Sequence, residues 1–158
     1  MTARVAADRT GPPEVKLGHQ APNGISAGLL ALVERGASRR PRIARELRGR
    51  VEIRFYEDYA PVRLHFGDEH VLVEDGGARR WRPDLVIQGS LPHVVQLATA
   101  PLVGGMPSPT VKRGRTALAS VASRRVRIEG SPLLARRLMK LLEVCAPSTR
   151  GLERPRAA

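Results

Sequence analysis

The most informative part of the sequence for the fold is residues 125–142, which read RVRIEGSPLLARRLMKLL. Its first residues alternate arginine with Val126 and Ile128, as is typical of a strand exposed on one side. Gly130 predicts a turn, and Ser131 followed by Pro132 is typical of a helix N-cap with proline at the first helical position. The helix predicted over 132–144 carries one stripe of leucines: Leu134, Leu138, Leu141 and Leu142. The segment therefore predicts a strand, a turn and an amphipathic helix.

The same two-residue alternation occurs earlier in the chain. It predicts strands at about 51–56, 62–67 and 70–74, and a fourth over 83–89. The connections among the first three are too short for parallel crossovers, so they favour an antiparallel meander. With the strand around Val126, the sequence predicts a mainly antiparallel sheet of five strands.

Helical spacing of apolar residues predicts the remaining elements. A first helix is expected over 25–35, where Gly36 interrupts the pattern, and Ser38 is expected to cap a second helix. Two further helices are predicted over 91–99 and about 114–122. The fold class is therefore α+β.

The chain of 158 residues suits one domain with tails. Residues 1–23 are polar and rich in proline and glycine, which predicts a disordered leader. The domain is expected over 24–145, with a disordered tail over 146–158. Cys145 is the single cysteine, and the sequence has no signal-peptide pattern or membrane-length apolar run, so a cytoplasmic location is expected.

The net charge of +12 is concentrated in two regions. Residues 35–50 hold seven arginines and one acid, and residues 112–140 hold nine basic residues and one acid. Such surfaces attract the phosphates of nucleic acid or of anionic lipid headgroups. Arginine outnumbers lysine 24 to 3, which biased genomic base composition also produces, so the charge leaves a functional and a compositional interpretation open.

Catalytic and metal-binding motifs are not found in the sequence. The histidines His19, His65, His70 and His93 have no partners at metal-ligand spacing, and neither a nucleophile elbow nor a phosphate-binding loop occurs. Cys145 has no base nearby in sequence. We therefore expect a protein that is not an enzyme and uses no cofactor and no metal.

Two segments resemble the sterol carrier protein type 2 family. Residues 83–89, PDLVIQG, are similar to that family's Pro-Asp-aliphatic-polar strand. Residues 125–134 are similar to its closing strand, glycine turn and final helix, and the resemblance covers about residues 40–144. It implies a five-stranded sheet with helices enclosing an apolar tunnel on one face. Family members bind sterols, fatty acyl chains or other lipids without catalytic residues, and some bacterial members assist isoprenoid-quinone synthesis.

The resemblance places a lipid cavity between the sheet and the terminal helix. Only five aromatic residues are available to fill the interior, so some cavity is expected. The candidate lining residues from the sheet are Ile53, Phe55, Leu64 and Phe66, and those from the last helix are Leu134, Leu138 and Leu141. The candidates near its mouth are Val95, Leu102, Val103 and Met106. Ordinary core packing is the alternative role for each of these residues.

The basic helices suggest how such a domain would approach an anionic membrane to collect or deliver lipid. The candidate contact residues are Arg39, Arg40, Arg42, Arg45, Arg136, Arg137 and Lys140. The expected partners are a lipid ligand, a transient membrane surface and a protein of lipid metabolism. A nucleic-acid-binding module is disfavoured because stacking aromatics are scarce, and a protein-binding scaffold domain is the other alternative.

Overall fold

The computed structural model describes residues 11–18, 24–76 and 80–143. The elements in chain order are β1 (Glu14–Leu17), α1 (Gly24–Arg39), α2 (Pro41–Glu46), β2 (Gly49–Phe55), β3 (Val62–Phe66), β4 (His70–Asp75), β5 (Leu85–Gly89), α3 (Leu91–Ala98), β6 (Leu102–Val103), β7 (Met106–Pro107), α4 (Lys112–Ala122), β8 (Val126–Gly130) and α5 (Pro132–Leu142).

The main sheet has the strand order β1-β4-β3-β2-β5-β8. The pairs β2–β3, β3–β4 and β5–β8 are antiparallel, whereas β1–β4 and β2–β5 are parallel. The mainly antiparallel α+β fold and the β2–β3–β4 meander are therefore as the sequence predicts. The short strands β6 and β7 form a separate hairpin.

The predicted number of strands was wrong, because the sheet has six strands rather than five. The additional strand, β1, lies within the segment predicted to be a disordered leader. Its apolar residues Val15 and Leu17 alternate with charged ones, and it pairs in parallel with β4 over four residues. Val15 packs against the core, and four residues are too few to stand out in a stretch rich in proline and glycine. The rest of the predicted leader, over 1–10 and 19–23, lies outside the described residues, as do the predicted tail and Cys145.

The core lies between one face of the sheet and the helices. Cross-strand register aligns Val73, Leu64, Val51 and Leu85 in one row, and all four are fully buried. Side chains alternate between the two faces of a strand, so the intervening positions form the opposite, outer face. Within the described ranges, no helix is long and apolar enough to cross a membrane.

The outer face carries a buried carboxylate between two arginines. Glu52 is 4% exposed, and its oxygens accept hydrogen bonds from Arg54 Nε at 2.6 Å and Arg63 Nε at 3.0 Å. The Arg63 guanidinium also lies 5.0 Å from the centre of the Trp81 ring, within the range of a cation–π contact. These contacts bury the Glu52 carboxylate in the middle of the outer face.

Gly36 lies inside α1 rather than ending it, and α2 begins at Pro41 rather than after Ser38. A Cβ placed on Gly36 would lie 2.5 Å from the carbonyl oxygen of Leu141 and 3.0 Å from its Cγ. The missing side chain therefore lets α1 and α5 approach closely. The sequence pattern shows a glycine but not the helix that packs on it.

We expect Gly36→Ala to destabilise the protein. In a helix interior, alanine is more stabilising than glycine by about 1 kcal/mol. The extra methyl group at this close contact is expected to cost about 1–3 kcal/mol through overpacking. Gly28→Ala in the same helix is the matched control, because within residues 11–18, 24–76 and 80–143 a Cβ there meets nothing closer than 4 Å. Urea unfolding should show a lower midpoint for Gly36→Ala and a higher one for Gly28→Ala. A stabilised Gly36→Ala protein would contradict the close α1–α5 contact.

Candidate functional site

An apolar pocket of about 320 Å³ lies between the sheet and helices α1, α3 and α5. Its floor is formed by Ile53 and Phe55 of β2 and by Ile87 of β5. Parallel pairing sets Ile53 directly opposite Ile87, so both side chains point to the same face. The two central strands of the sheet therefore provide the floor.

The walls come from one face of each of the three helices. Helix α3 contributes Leu91, Val94, Val95 and Ala98 at the i, i+3, i+4, i+7 spacing of a single helical stripe. The other lining residues of the walls are Leu97 of α3, then Gly24, Ile25, Gly28, Leu29 and Leu32 of α1, and Leu138, Met139 and Leu142 of α5. All of these side chains are apolar.

The exposed lining residues mark the mouth of the pocket. Gly24 and Gly28 lie one turn apart on α1, and both are exposed. A Cβ at either position meets none of the described residues within 4 Å. Val95 of α3 also lines the pocket although 48% of its surface is exposed. The two missing side chains leave a gap in the α1 wall, which we call the glycine notch (Gly24 and Gly28).

The first turn of α3 is fixed by the loop between β2 and β3. The backbone N–H of Leu91 donates to both carboxylate oxygens of Glu57 at 3.1 Å. A negative charge at this position also interacts favourably with the N-terminal end of a helix. Phe55 makes an edge-to-face contact with Tyr59, with ring centroids 6.1 Å apart. The loop therefore holds one side of the pocket in place.

The described lining residues include no acid, base or nucleophilic side chain. Among the described residues, no group of three or more His, Cys, Asp or Glu side chains is placed to hold a metal ion. What the pocket offers a ligand is removal of apolar surface from water, at about 25 cal/mol per Å² buried. Its chemistry is that of binding an apolar group.

The structure brings only part of the predicted lining together. Ile53, Phe55, Val95 and Leu138 line the pocket. The other seven candidates lie outside it: Leu64, Phe66, Leu134 and Leu141 in the core, and Leu102, Val103 and Met106 on the β6–β7 hairpin. A lipid-binding role for any of the eleven stays a prediction.

Strand order and the geometry of α5 explain these positions. Strand β3, which carries Leu64 and Phe66, is separated from β5 by β2, and the pocket floor is β2 and β5. Two leucines of α5 pack against glycines of other elements. Leu134 Cδ2 would lie 2.9 Å from a Cβ placed on Gly49 of β2, and Leu141 packs on Gly36 of α1. Leu134 and Leu141 therefore pack against the backbone of β2 and α1 and do not line the pocket.

The sequence pattern does not identify the α1 wall or most of the α3 wall of the pocket. The helical spacing of Ile25, Leu29 and Leu32 within the predicted helix over 25–35 indicates one apolar stripe, but it does not show that the stripe lines a pocket. A usable signal was the pair of glycines four residues apart next to that stripe, because two absent side chains on one helical face leave an opening. Only the fold shows that this face and α3 line the same pocket.

The predicted basic contact residues lie on α1, α2 and α5, with Arg40 between α1 and α2. Several also hold the helices together: Arg40 pairs with Glu143 at 3.5 Å, and Arg137 Nη1 donates to the Glu46 carbonyl at 3.5 Å. Arg136 Nη2 donates to the Gly104 carbonyl at 3.1 Å. The remaining members of the predicted set are Arg39, Arg42 and Arg45, and Lys140 at the β6–β7 hairpin. Membrane contact by this group stays a prediction.

Comparison with known proteins finds matches among solved structures. The chain matches a protein described as "UbiJ-SCP2 Ubiquinone synthesis protein" with a TM-score of 0.54 and 16% identity, over 79% of this chain and 95% of that one. It matches the apo form of sterol carrier protein 2 from Yarrowia lipolytica with a TM-score of 0.50 and 11% identity, over 82% and 98%. No family model and no curated protein matches the chain.

Proposed function

We propose that this chain, which has the sterol carrier protein type 2 fold, binds the apolar chain of a lipid in the pocket between β2, β5, α1, α3 and α5 and catalyses no reaction. The observation that carries the proposal is the apolar lining of this pocket, with an opening at the glycine notch. Pockets of roughly 300–1,000 Å³ are the usual size of small-molecule sites. A carrier or presenting role in a cytoplasmic pathway of lipid metabolism fits such a site.

The pocket volume favours one chain of moderate length. If each methylene takes about the 30 Å³ that a water molecule occupies in the liquid, the 320 Å³ hold roughly ten such groups. A fatty acyl or isoprenoid tail can enter end first and leave its polar head at the mouth. A sterol has more carbon atoms than this volume would hold. The name of the first relative mentions ubiquinone synthesis, which supports an isoprenoid-type tail as a candidate.

Helix α5 would connect lipid binding with a membrane surface. Its Leu138 and Met139 line the pocket, whereas Arg136, Arg137 and Lys140 are exposed. Cations near an anionic membrane contribute about 1 kcal/mol each. The same helix would therefore meet lipid headgroups while its opposite face holds the tail.

We expect affinity for fatty acids to rise with chain length and then level off. Each buried methylene contributes about 0.8 kcal/mol, or roughly fourfold in Kd, until about ten carbons fill the pocket. Displacement of a fluorescent fatty acid by saturated acids of about six to eighteen carbons measures the series. An affinity that keeps rising up to eighteen carbons would contradict a pocket that holds only about ten. The absence of displacement at any chain length would contradict lipid binding itself.

The alternative functions make different demands on this region. A nucleic-acid-binding module or a protein scaffold requires no internal apolar space, and either is compatible with a filled core. The pocket supports the lipid proposal over both, because its lining is apolar and lies away from the basic side chains.

A further inference from the structure

Strand β8 forms one edge of the main sheet. It is the last strand in the order β1-β4-β3-β2-β5-β8, so one of its sides pairs with β5 and the other is unpaired within the described part of the chain. Its first residue, Val126, is buried, and residues 127–130 are exposed. An exposed edge of this kind presents a row of backbone donors and acceptors to another strand.

The register of β8 identifies the backbone groups that point outward. The N–H of Ser131 donates to the carbonyl of Asp84 at 2.9 Å, which continues the antiparallel pairing of β5 with β8. Hydrogen-bonded and non-hydrogen-bonded pairs alternate along an antiparallel ladder. Arg127 and Glu129 therefore direct their backbone groups to β5, whereas Val126, Ile128 and Gly130 direct theirs away from the sheet.

A groove of about 330 Å³ runs beside this free edge. Val121 and Arg124, at and just after the end of α4, line it together with residues 126–129 of β8. Ile128 is 38% exposed on the helix-facing side, and the exposed Arg125 and Arg127 alternate onto the outer side. A strand laid in the groove would thus meet an apolar side chain on one face. On the other face it would meet the guanidinium groups of Arg125 and Arg127 beside the carboxylate of Glu129.

Charge determines which strand would fit. Residues 112–129 contain one acid, Glu129, and six cations: Lys112, Arg113, Arg115, Arg124, Arg125 and Arg127. In the described ranges none of these six takes part in an ion pair. Residues 144–158 hold three arginines against one Glu153 and would bring like charge to the edge. The complementary occupant is acidic.

We propose that the free edge of β8 binds an extended acidic segment of a partner protein, which adds to the sheet as a seventh strand. Backbone hydrogen bonds to Ile128 and its outward-facing neighbours hold the segment. Alternating side chains set its specificity, with apolar residues toward Ile128 and carboxylates toward Arg125 and Arg127. This surface is separate from the apolar pocket and does not depend on lipid binding.

The probe is a fluorescent peptide of about eight residues, an ordinary strand length, that alternates valine with glutamate. We expect saturable binding by fluorescence anisotropy that weakens with salt, and no binding of the matching valine–lysine peptide. Ile128→Pro should raise Kd at least about tenfold, because proline removes an N–H that faces away from β5 and so leaves the β5–β8 ladder paired. Ile128→Val keeps that N–H and should bind as the parent does.

If Ile128→Pro shows no cooperative unfolding transition, and so is not folded, a charge exchange tests the same edge. The double variant Arg125→Glu, Arg127→Glu should bind the valine–glutamate peptide more weakly than the parent protein does, and it should bind the valine–lysine peptide. Equal binding of both peptides to the parent protein, or unchanged affinity in the charge exchange, would overturn the proposal. Sedimentation showing a dimer that Ile128→Pro dissociates would assign the edge to a second copy and would overturn it as well.

Discussion

Gly28→Leu is expected to block the pocket and stabilise the fold at the same time. Gly28 lines the mouth, and a Cβ there meets no atom of the described part of the chain within 4 Å, so a leucine side chain can enter the apolar space. It would occupy the place of about four of roughly ten ligand methylenes, a loss of about 3 kcal/mol or roughly 100-fold in affinity for a ten-carbon acid. Leucine also favours a helix by about 0.8 kcal/mol over glycine, which raises the free energy of unfolding.

Ala27→Leu provides the control for this variant. Ala27 is the exposed neighbour of Gly28 on α1 and does not line the pocket, so a leucine there adds similar bulk outside the site. Fatty-acid displacement should be unchanged in Ala27→Leu and lost in Gly28→Leu, while thermal unfolding shows both proteins folded. Unchanged lipid affinity in a stable Gly28→Leu protein would place the ligand elsewhere.

Glu52→Gln is expected to destabilise the protein by about 3 kcal/mol. Removing one partner of a buried ion pair leaves an uncompensated charge, at a cost of roughly 3–5 kcal/mol when the site is fully buried. The Arg63 side chain is 12% exposed and keeps its contact with Trp81, so we place the effect at the lower end of that range. For a domain of this size, about 3 kcal/mol corresponds to a decrease of roughly 10 °C in Tm.

Glu129→Gln is the matched control for the outer face. Glu129 is exposed on the same face of the sheet, and neutralising it should change stability by no more than about 0.5 kcal/mol. Thermal unfolding at one pH compares the two variants directly. Equal Tm values for Glu52→Gln and Glu129→Gln would show that the ion pairs of Glu52 contribute no more to stability than an exposed carboxylate does.

The sequence predicts elements best where periodicity is strong over several residues. The meander of β2, β3 and β4 follows from apolar alternation, and the fold class and its resemblance to sterol carrier protein type 2 are confirmed. The start of α5 is confirmed in detail, since Ser131 Oγ accepts from the Leu134 N–H at 3.3 Å. Local chemistry alone fixes these features.

Features that depend on packing between elements are harder to predict. Ile53 and Leu64 show the same alternation, yet only Ile53 lines the pocket, because strand order decides which strands lie beneath α3. Gly36 looks like a helix end because its partner, Leu141, is distant in sequence. The sequence does not predict β1, because four residues carry too little periodicity to indicate a strand. The strand is stabilised by its pairing with β4, which only the fold shows.

The most direct test of lipid binding in this pocket is to locate the end of a bound chain. Isotope-filtered NMR between decanoate labelled at its terminal methyl and the methyl-labelled protein measures proton contacts between the two. We predict contacts from the chain end to the pocket methyls of Ile53, Ile87 and Leu138. Contacts confined to surface methyls such as those of Val103 and Leu133, or the absence of any saturable contact, would contradict the proposed site.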